Sequence, residues 1–137
     1  MPTLTRPTAM IFAATLLAGC ATVPPISKQD AATEATLLQF AGPPIDSFTY
    51  LGRYDGFRTL GDKQVVIFTT INDAYLIRVR DPCINLRIAN TVELTSSNRT
   101  VSRTFDFVLA DHERCLIDTI RHIDYAAVKR ARSAASS

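Results

Sequence analysis

Apolar and polar residues alternate in short runs along the central part of the chain, residues 47–123. Turn residues separate these runs of Val, Ile, Phe, Tyr and Thr about every ten residues, a spacing typical of antiparallel β-strands. The run QVVIFTT, residues 64–70, is almost continuously apolar and predicts a central strand buried on both faces. The alternating run AYLIRVR, residues 74–80, follows it through residues 71–73, which predicts a hairpin.

Three further segments have the composition of strands. SFTYLGRYDGFRTL, residues 47–60, predicts one strand with an interruption at Asp55 and Gly56. INLRIA, residues 84–89, alternates apolar and polar side chains and predicts a strand after Pro82. RCLIDTIRHI, residues 114–123, predicts the last strand.

A second hairpin is predicted from TVELTS, residues 91–96, and VSRTFDFVLA, residues 101–110, which flank the turn 97–99. Side chains alternate between the two faces of a strand. In the second arm this places Phe105, Phe107 and Leu109 on one face, and Asp106 and Val108 on the other.

One helix is predicted before these strands. Ser27 or Asp30 can cap it at the N-terminus, and it covers residues 28–40. The sequence GPP, residues 42–44, is expected to end it, because proline does not continue a helix.

A short basic helix over residues 124–132, capped by Asp124, is predicted to follow the strands, with a disordered tail at residues 133–137. The predicted fold class is mainly β, of α+β type. It is a small antiparallel sheet, either a sandwich or a partly closed barrel, with a helix at each end. One globular domain, residues 28–132 with its β part at 47–123, accounts for the whole pattern.

The first nineteen residues read as a secretory signal. Arg6 is the one charged residue, and Met10–Leu17 is an apolar core too short to span a bilayer. Leu17-Ala18-Gly19-Cys20 resembles the lipobox of bacterial lipoproteins. That resemblance implies cleavage before Cys20 and acylation of its thiol, which anchors the chain in a membrane. An ordinary secretory signal that ends beside a cysteine is the alternative.

The segment after Cys20 predicts how the domain is attached and where. Residues 20–27 contain two prolines and form a short lipidated tether. By the same resemblance, Ala21 favours the outer membrane, with the domain facing the periplasm.

Cys83 and Cys115 remain once Cys20 is assigned to the lipid. An even pair of cysteines in an oxidising compartment predicts a disulfide that braces the domain. A metal site or a redox pair is the alternative, but the chain has neither a CxxC spacing nor clustered histidines. We therefore expect no metal and no cofactor.

The formal net charge of +2 falls to about +1 when Arg6 is removed, which argues against nucleic acid as a partner. A hydrolase would need His112 or His122 as a base beside an aspartate such as Asp106. No nucleophile elbow, zinc-protease motif or phosphate loop is present in the sequence. We therefore expect His112 and His122 to be structural or solvent-exposed residues rather than catalytic bases.

Three arginines provide the better indication of a binding site. Arg78 and Arg80 share a face of their strand at period two, and Arg87 falls on or beside the next strand. They can form a positive stripe for phosphate or carboxylate groups of an envelope polymer or protein. The favoured interpretation is nevertheless a solvated sheet face on which they pair with Asp81 and Glu93.

Several motifs between residues 48 and 124 resemble a family of small, uncharacterised Gram-negative envelope proteins with paired cysteines. The shared motifs are Ala-Tyr-Leu at 74–76, the first cysteine followed by NLRIAN, the ELTS turn, the FD pair and the second cysteine with isoleucine two residues on. A tryptophan expected around residues 54–57 is absent. The resemblance implies the compartment and the disulfide, and it adds no activity.

The sequence as a whole predicts a lipoprotein of unknown molecular activity in the cell envelope. A non-enzymatic binding or structural module is the favoured interpretation. A small envelope hydrolase with a His/Asp acid–base pair is the alternative.

Overall fold

The computed structural model describes Gly19, residues 26–81 and residues 83–136. The predicted signal peptide apart from Gly19, the lipidation site Cys20 and most of the tether lie outside these described residues. Two α-helices, one 3-10 helix and nine strands form within them. In chain order they are α1 (Lys28–Leu38), β1 (Ala41–Ile45), β2 (Ser47–Thr49), β3 (Gly56–Leu60), β4 (Gln64–Phe68), β5 (Asp73–Val79), the 3-10 helix (Leu86–Ile88), β6 (Val92–Leu94), β7 (Thr100–Ser102), β8 (Phe107–Ala110), β9 (Glu113–Asp124) and α2 (Tyr125–Ala135).

Helix α1 begins after the predicted cap, because Ser27 Oγ accepts a hydrogen bond from the Asp30 backbone N–H at 3.0 Å. The helix ends at Leu38, and the GPP sequence that follows belongs to β1. Proline has no backbone N–H to donate to a neighbouring strand, so it is tolerated where the pairing of a strand is irregular. The register between β1 and β9 shifts between Ala41 and Pro44.

Helix α2 begins after its predicted cap. The Asp124 carboxylate accepts a hydrogen bond from the Ala127 backbone N–H at 3.0 Å. The helix continues to Ala135, which is within the segment predicted as a tail. Among the described residues, no helix has the length and apolar character needed to cross a membrane.

Strand β9 organises the main sheet, whose order is β3-β4-β5-β9-β8-β6 with every pair antiparallel. One edge of β9 pairs with β5. The other edge pairs with β8 at residues 113–116 and with β1 at residues 120–123. Strands β2 and β7 form a separate two-stranded sheet. The predicted fold class is confirmed, and the sheet curls into a half-barrel, which is the partly closed alternative.

Strand β4 is the buried central strand that the apolar run predicts. It pairs with β3 on one side and with β5 on the other. Val65 and Ile67 face one core and Val66 faces another, and all three are fully buried. The hairpin predicted between β4 and β5 is also confirmed.

The single strand predicted over residues 47–60 is wrong. It divides into β2, which pairs with β7, and β3, which pairs with β4. The segment between them turns at Gly52, whose φ of +78° is a backbone conformation that favours glycine.

The strand predicted over residues 84–89 is also wrong. The Leu86 backbone N–H donates to the Cys83 carbonyl at 3.0 Å, so the chain makes a tight helical turn. Leu86 is buried, whereas Ile84 and Ile88 are 79% and 73% exposed. The alternation is present in the sequence, but the turn brings only its middle residue into the core.

The second predicted hairpin is present only as a tight turn. Ser97 and Thr100 form a bridge around Asn98 and Arg99, both of which have positive φ. Beyond this turn β6 pairs with β8, and β7 pairs with β2. The predicted alternation holds, but the buried face is the one that carries Asp106 and Val108, and Phe105 is 77% exposed.

Two cores lie on opposite faces of the main sheet. The larger, here called the inner core, is covered by the β2–β7 sheet and the 3-10 segment, and the smaller, the helix-side core, is covered by α1 and α2. The inner core contains Phe48, Tyr50, Val65, Ile67, Ile77, Val79, Cys83, Leu86, Val92, Leu94, Val101, Val108, Ala110, Cys115, Ile117 and Ile120. The helix-side core contains Leu37, Leu60, Val66, Ala74, Leu76, Ile123 and Val128.

An irregularity in β9 adjusts its side chains to these two cores. Arg78 lies opposite Thr119 and Val79 lies opposite Ile117, so Asp118 is an extra residue in β9. Ile117 and Ile120 are three residues apart, yet both belong to the inner core. The extra residue is what makes this possible, because strict alternation would place them on opposite faces.

Candidate functional site

A hollow of about 700 Å³ lies between residues 49–55 and residues 69–75. We call it the tyrosine cleft. Its volume is within the range of about 300–1,000 Å³ found for small-molecule sites. Its lining includes Tyr50, Tyr54, Tyr75, Arg53, Asp55 and Asp73.

Backbone hydrogen bonds hold the 49–55 side of the cleft. The Tyr50 N–H donates to the Arg99 carbonyl, and the Asp55 N–H donates to the Phe68 carbonyl, both at 2.7 Å. The turn at Gly52 lies between these two attachment points. The segment is therefore a loop fixed at both ends.

Aromatic contacts build the wall of the cleft. The Tyr75 ring stacks on Phe48 with 4.0 Å between centroids and meets His122 edge-on at 5.3 Å. The Tyr54 hydroxyl donates a hydrogen bond to the Val92 carbonyl. These contacts hold the two rings in one orientation each.

The three tyrosines keep their protons over the physiological pH range. Burial raises the pKa of Tyr50, Tyr54 and Tyr75 above the ordinary value of 10.0. The negative charge of Glu93 adds to this effect at Tyr50 and Tyr54, and that of Asp73 adds to it at Tyr75. The cleft is therefore lined by neutral phenols beside carboxylates and one guanidinium.

His122 pairs with Asp73 at the border of the tyrosine cleft. Its Nε2 lies 2.8 Å from Asp73 Oδ1, and both side chains are half-exposed. The Thr70 hydroxyl lies 3.3 Å from Asp73 Oδ2 and also accepts hydrogen bonds from the backbone N–H groups of Asn72 and Asp73. The hydrolase alternative named Asp106 as the aspartate beside a histidine, but the aspartate that contacts His122 is Asp73.

The order of these contacts differs from that of a nucleophilic triad. In a triad the histidine lies between the hydroxyl and the carboxylate, so that it can remove the hydroxyl proton. Here the Asp73 carboxylate lies between Thr70 and His122. The arrangement ties the β4–β5 turn to β9 and does not activate Thr70 as a nucleophile.

The other two candidate acid–base residues, Asp106 and His112, lie away from the tyrosine cleft. Asp106 is only 4% exposed, and its carboxylate accepts hydrogen bonds from the Thr95 hydroxyl and the Ser102 N–H, both at 2.8 Å. It therefore joins the segments around β6, β7 and β8. His112 is exposed and lies in the β8–β9 turn, where its φ is +76°.

Of the three candidate arginines, Arg78 lies in β5, Arg80 follows the end of β5, and Arg87 lies in the 3-10 helix. Arg78 and Arg80 are exposed on either side of the buried Val79, as the alternation predicts. Arg87 belongs to the 3-10 helix rather than to a strand, and its guanidinium lies 3.9 Å from Asp62. The three residues therefore do not form one stripe along paired strands.

Cys83 and Cys115 lie at disulfide distance, with 5.9 Å between their Cα atoms. Both cysteines belong to the inner core. Glu113 lies beside them, and its carboxylate accepts a hydrogen bond from the Asn85 N–H at 2.8 Å. A metal ion needs free thiolates, so these three side chains can hold one only when the cysteines are reduced.

Sequence reasoning did not select the residues of the tyrosine cleft. The signal available was the density of aromatic and charged residues in YLGRYD, residues 50–55. The composition of the same segment predicts a strand rather than a binding loop. The contribution of Asp73 and Tyr75 to the same cleft depends on tertiary contacts.

Comparison with known proteins places the chain in a family. It belongs to a family of unknown function, DUF6491, whose model matches residues 3–137. No curated protein matches the chain, and no solved structure matches it.

Proposed function

We propose that this chain is a lipid-anchored protein of the cell envelope whose domain binds a periplasmic partner and catalyses no reaction. The lipobox-like sequence that ends at Cys20 and the paired cysteines support the location. The tyrosine cleft supports the binding role, and it is the observation that carries the proposal. Its rigid aromatic wall and polar lining suit recognition, whereas its His–Asp contact lacks an activated nucleophile.

The chemistry of the cleft favours a sugar-containing envelope polymer. Tyrosine and threonine hydroxyls and the carboxylates of Asp55 and Asp73 can pair with sugar hydroxyls. Arg53 is exposed and can bind an anionic group of the same polymer. The exposed side chains of Leu51 and Ile71 at the rim offer apolar contact to the ring faces.

The binding role is tested with purified peptidoglycan sacculi and, separately, with lipopolysaccharide. We expect Arg53→Ala to weaken the retention of the lipoprotein on one of these polymers by about tenfold, because a charge-assisted hydrogen bond is lost. Arg130→Ala is the matched control, since Arg130 is an exposed arginine on α2 and is not part of the cleft lining. Equal retention of the two variants on both polymers would count against the cleft.

The location is tested independently of the ligand. Cys20→Ser removes the thiol that receives the lipid, so we expect the protein to move from the membrane fraction to the soluble periplasmic fraction. Incorporation of labelled palmitate should disappear at the same time. Unchanged membrane association of this variant would contradict the anchor.

The hydrolase remains a second candidate because of one observation, the 2.8 Å contact between His122 and Asp73. A hydrolase that uses a histidine base should lose its turnover of envelope substrates in a chain with both His112→Gln and His122→Gln. The binding module that we propose should keep its polymer affinity in that double variant. Cleavage of sacculi by the wild type that the double variant lacks would favour the enzyme.

A further inference from the structure

A second hollow, here called the helix-side groove, lies between α1 and strands β4, β5 and β9. Its volume is about 240 Å³. Small-molecule sites for drug-sized ligands begin at about 300 Å³, so this groove suits a smaller molecule. Six polar side chains line it: Glu34, Gln64, Arg78, Asp118, Thr119 and Arg121.

The strand register brings these side chains together. Gln64 lies directly opposite Arg78 in the β4–β5 pair, and Arg78 lies opposite Thr119 in the β5–β9 pair. The extra residue of β9, Asp118, lies at this point, and Arg121 follows opposite Leu76. Glu34 reaches the groove from α1, more than forty residues before Arg78.

The charges in the helix-side groove balance. Arg78 and Arg121 supply two positive charges, and Glu34 and Asp118 supply two negative charges. Within the described part of the chain, neither the Arg78 guanidinium nor the Asp118 carboxylate has a hydrogen bond or ion pair. Arg121 makes one long contact, at 3.4 Å, with the Gly42 carbonyl.

Gln64 supplies an independent observation. The residue is only 8% exposed, and its Nε2 donates to Glu34 Oε1 at 2.8 Å, which settles the orientation of the amide. Its Oε1 is buried and has no hydrogen-bond partner among the described residues. An unpaired buried acceptor is unfavourable, and a donor supplied by a ligand would relieve it.

We propose that the helix-side groove binds a small zwitterion of the α-amino acid type. Its carboxylate lies against the guanidinium groups of Arg78 and Arg121, which match carboxylate geometry. Its ammonium group lies among Glu34, Asp118 and the Gln64 carbonyl oxygen, where an ammonium has three protons to donate. The Gln64 carbonyl oxygen is buried, so contact with the ammonium group requires a movement of the side chains around that oxygen.

The lining argues against a simple anion. A phosphate or acetate would gain the two arginines but would also approach two carboxylates. It would offer no N–H group to Gln64. Only a ligand that carries both charges uses all four charged side chains of the groove and the Gln64 oxygen. This site is separate from the tyrosine cleft and does not depend on the function proposed for that cleft.

The test is a titration of the ¹⁵N-labelled full-length lipoprotein in detergent micelles, followed by two-dimensional NMR. The probes are glycine, acetate, methylammonium and inorganic phosphate. We expect glycine to shift the Gln64 side-chain amide and the Arg78 Nε–H signals in a saturable manner. Acetate, methylammonium and phosphate should bind at least about tenfold more weakly, because each uses half of the groove or less.

Two exposed arginines provide matched variants for this titration. Arg78→Gln should weaken glycine binding by about tenfold or more, whereas Arg80→Gln should leave it unchanged. Backbone signals outside the groove report whether each variant keeps its fold. Acetate or phosphate binding as tightly as glycine would overturn the zwitterion assignment. Unsaturable shifts with glycine, or equal effects of the two variants, would overturn the site.

Discussion

The two faces of the main sheet are built in different ways. The inner core is made from strands that are far apart in sequence, and it contains the Cys83–Cys115 pair. The helix-side core rests on two helices that each bury one residue, Leu37 from α1 and Val128 from α2. The inner face is therefore held by many long-range contacts, whereas the helix side is attached by few.

The two faces also differ in how their buried polar side chains are hydrogen-bonded. On the inner face, the buried Asp106 has its hydrogen bonds supplied by neighbouring strands. On the helix side, Gln64 is buried with an unpaired oxygen, and the charged helix-side groove opens beside it. The comparison teaches that buried polar groups on the inner face have partners supplied by neighbouring strands, whereas on the helix side a buried polar group is left without one.

The largest expected effect comes from creating a cavity in each core. Ile117→Ala should lower the free energy of unfolding by about 4 kcal/mol, because fixed strands surround the residue and cannot collapse into the space. Leu37→Ala should cost about 2 kcal/mol, since α1 can shift on the sheet. Urea unfolding of both variants measures the difference. Equal losses, or a larger loss for Leu37→Ala, would break the comparison.

The disulfide should contribute to the inner face alone. Replacement of Cys83 and Cys115 by serine should lower the free energy of unfolding by about 3–4 kcal/mol. The disulfide joins cysteines that are 32 positions apart, and closing a loop of that length restricts the unfolded chain. In hydrogen exchange, amides of the 3-10 segment and β8 should lose more protection than those of α1 and α2. Cys20→Ser serves as the control for the loss of a cysteine as such. Uniform loss of protection over both faces would contradict this prediction.

The smallest effect concerns the acid sensitivity of the β8–β9 turn, which joins two strands that contribute to the inner core. Asp111 accepts hydrogen bonds from the backbone N–H groups of Thr91 and Asn90, which lower the pKa of its carboxyl below the ordinary value of 3.8. Its contribution to stability is therefore complete above that value, and it is lost as the pH falls through the lower pKa of the folded state.

Asp111→Asn tests this contribution, because asparagine tolerates the positive φ of residue 111 and keeps one acceptor oxygen but cannot ionise. The wild type should be slightly more stable than this variant at neutral pH, and the difference should vanish at acid pH. Urea unfolding over a series of pH values measures it. A difference that stays constant with pH would show that the charge of Asp111 has no part in it.

Local patterns in the sequence predicted the parts of the fold that depend on neighbouring residues. The caps at Ser27 and Asp124, the central strand β4 and the hairpin to β5 follow from periodicity and from capping side chains. The same rules failed at residues 84–89, where alternation exists without a strand. Periodicity does not record whether a partner strand is available for pairing.

The candidate sites depended on contacts that no local pattern contains. The tyrosine cleft joins residues 49–55 to residues 69–75, and His122 meets its aspartate 49 positions away in the chain. The hydrolase alternative drawn from the sequence named Asp106, but the pairing of β5 with β9 places Asp73 beside His122 instead.

The sequence by itself determined the mainly β composition, the two terminal helices and the pair of cysteines able to bridge. These properties follow from residue types and short spacings, which act within a few residues along the chain. Only the tertiary structure decided the strand order, the face on which each core forms and the lining of both hollows. Those outcomes depend on the extra residue Asp118 and on pairing between distant strands, because a shift of one residue exchanges the two faces of a strand.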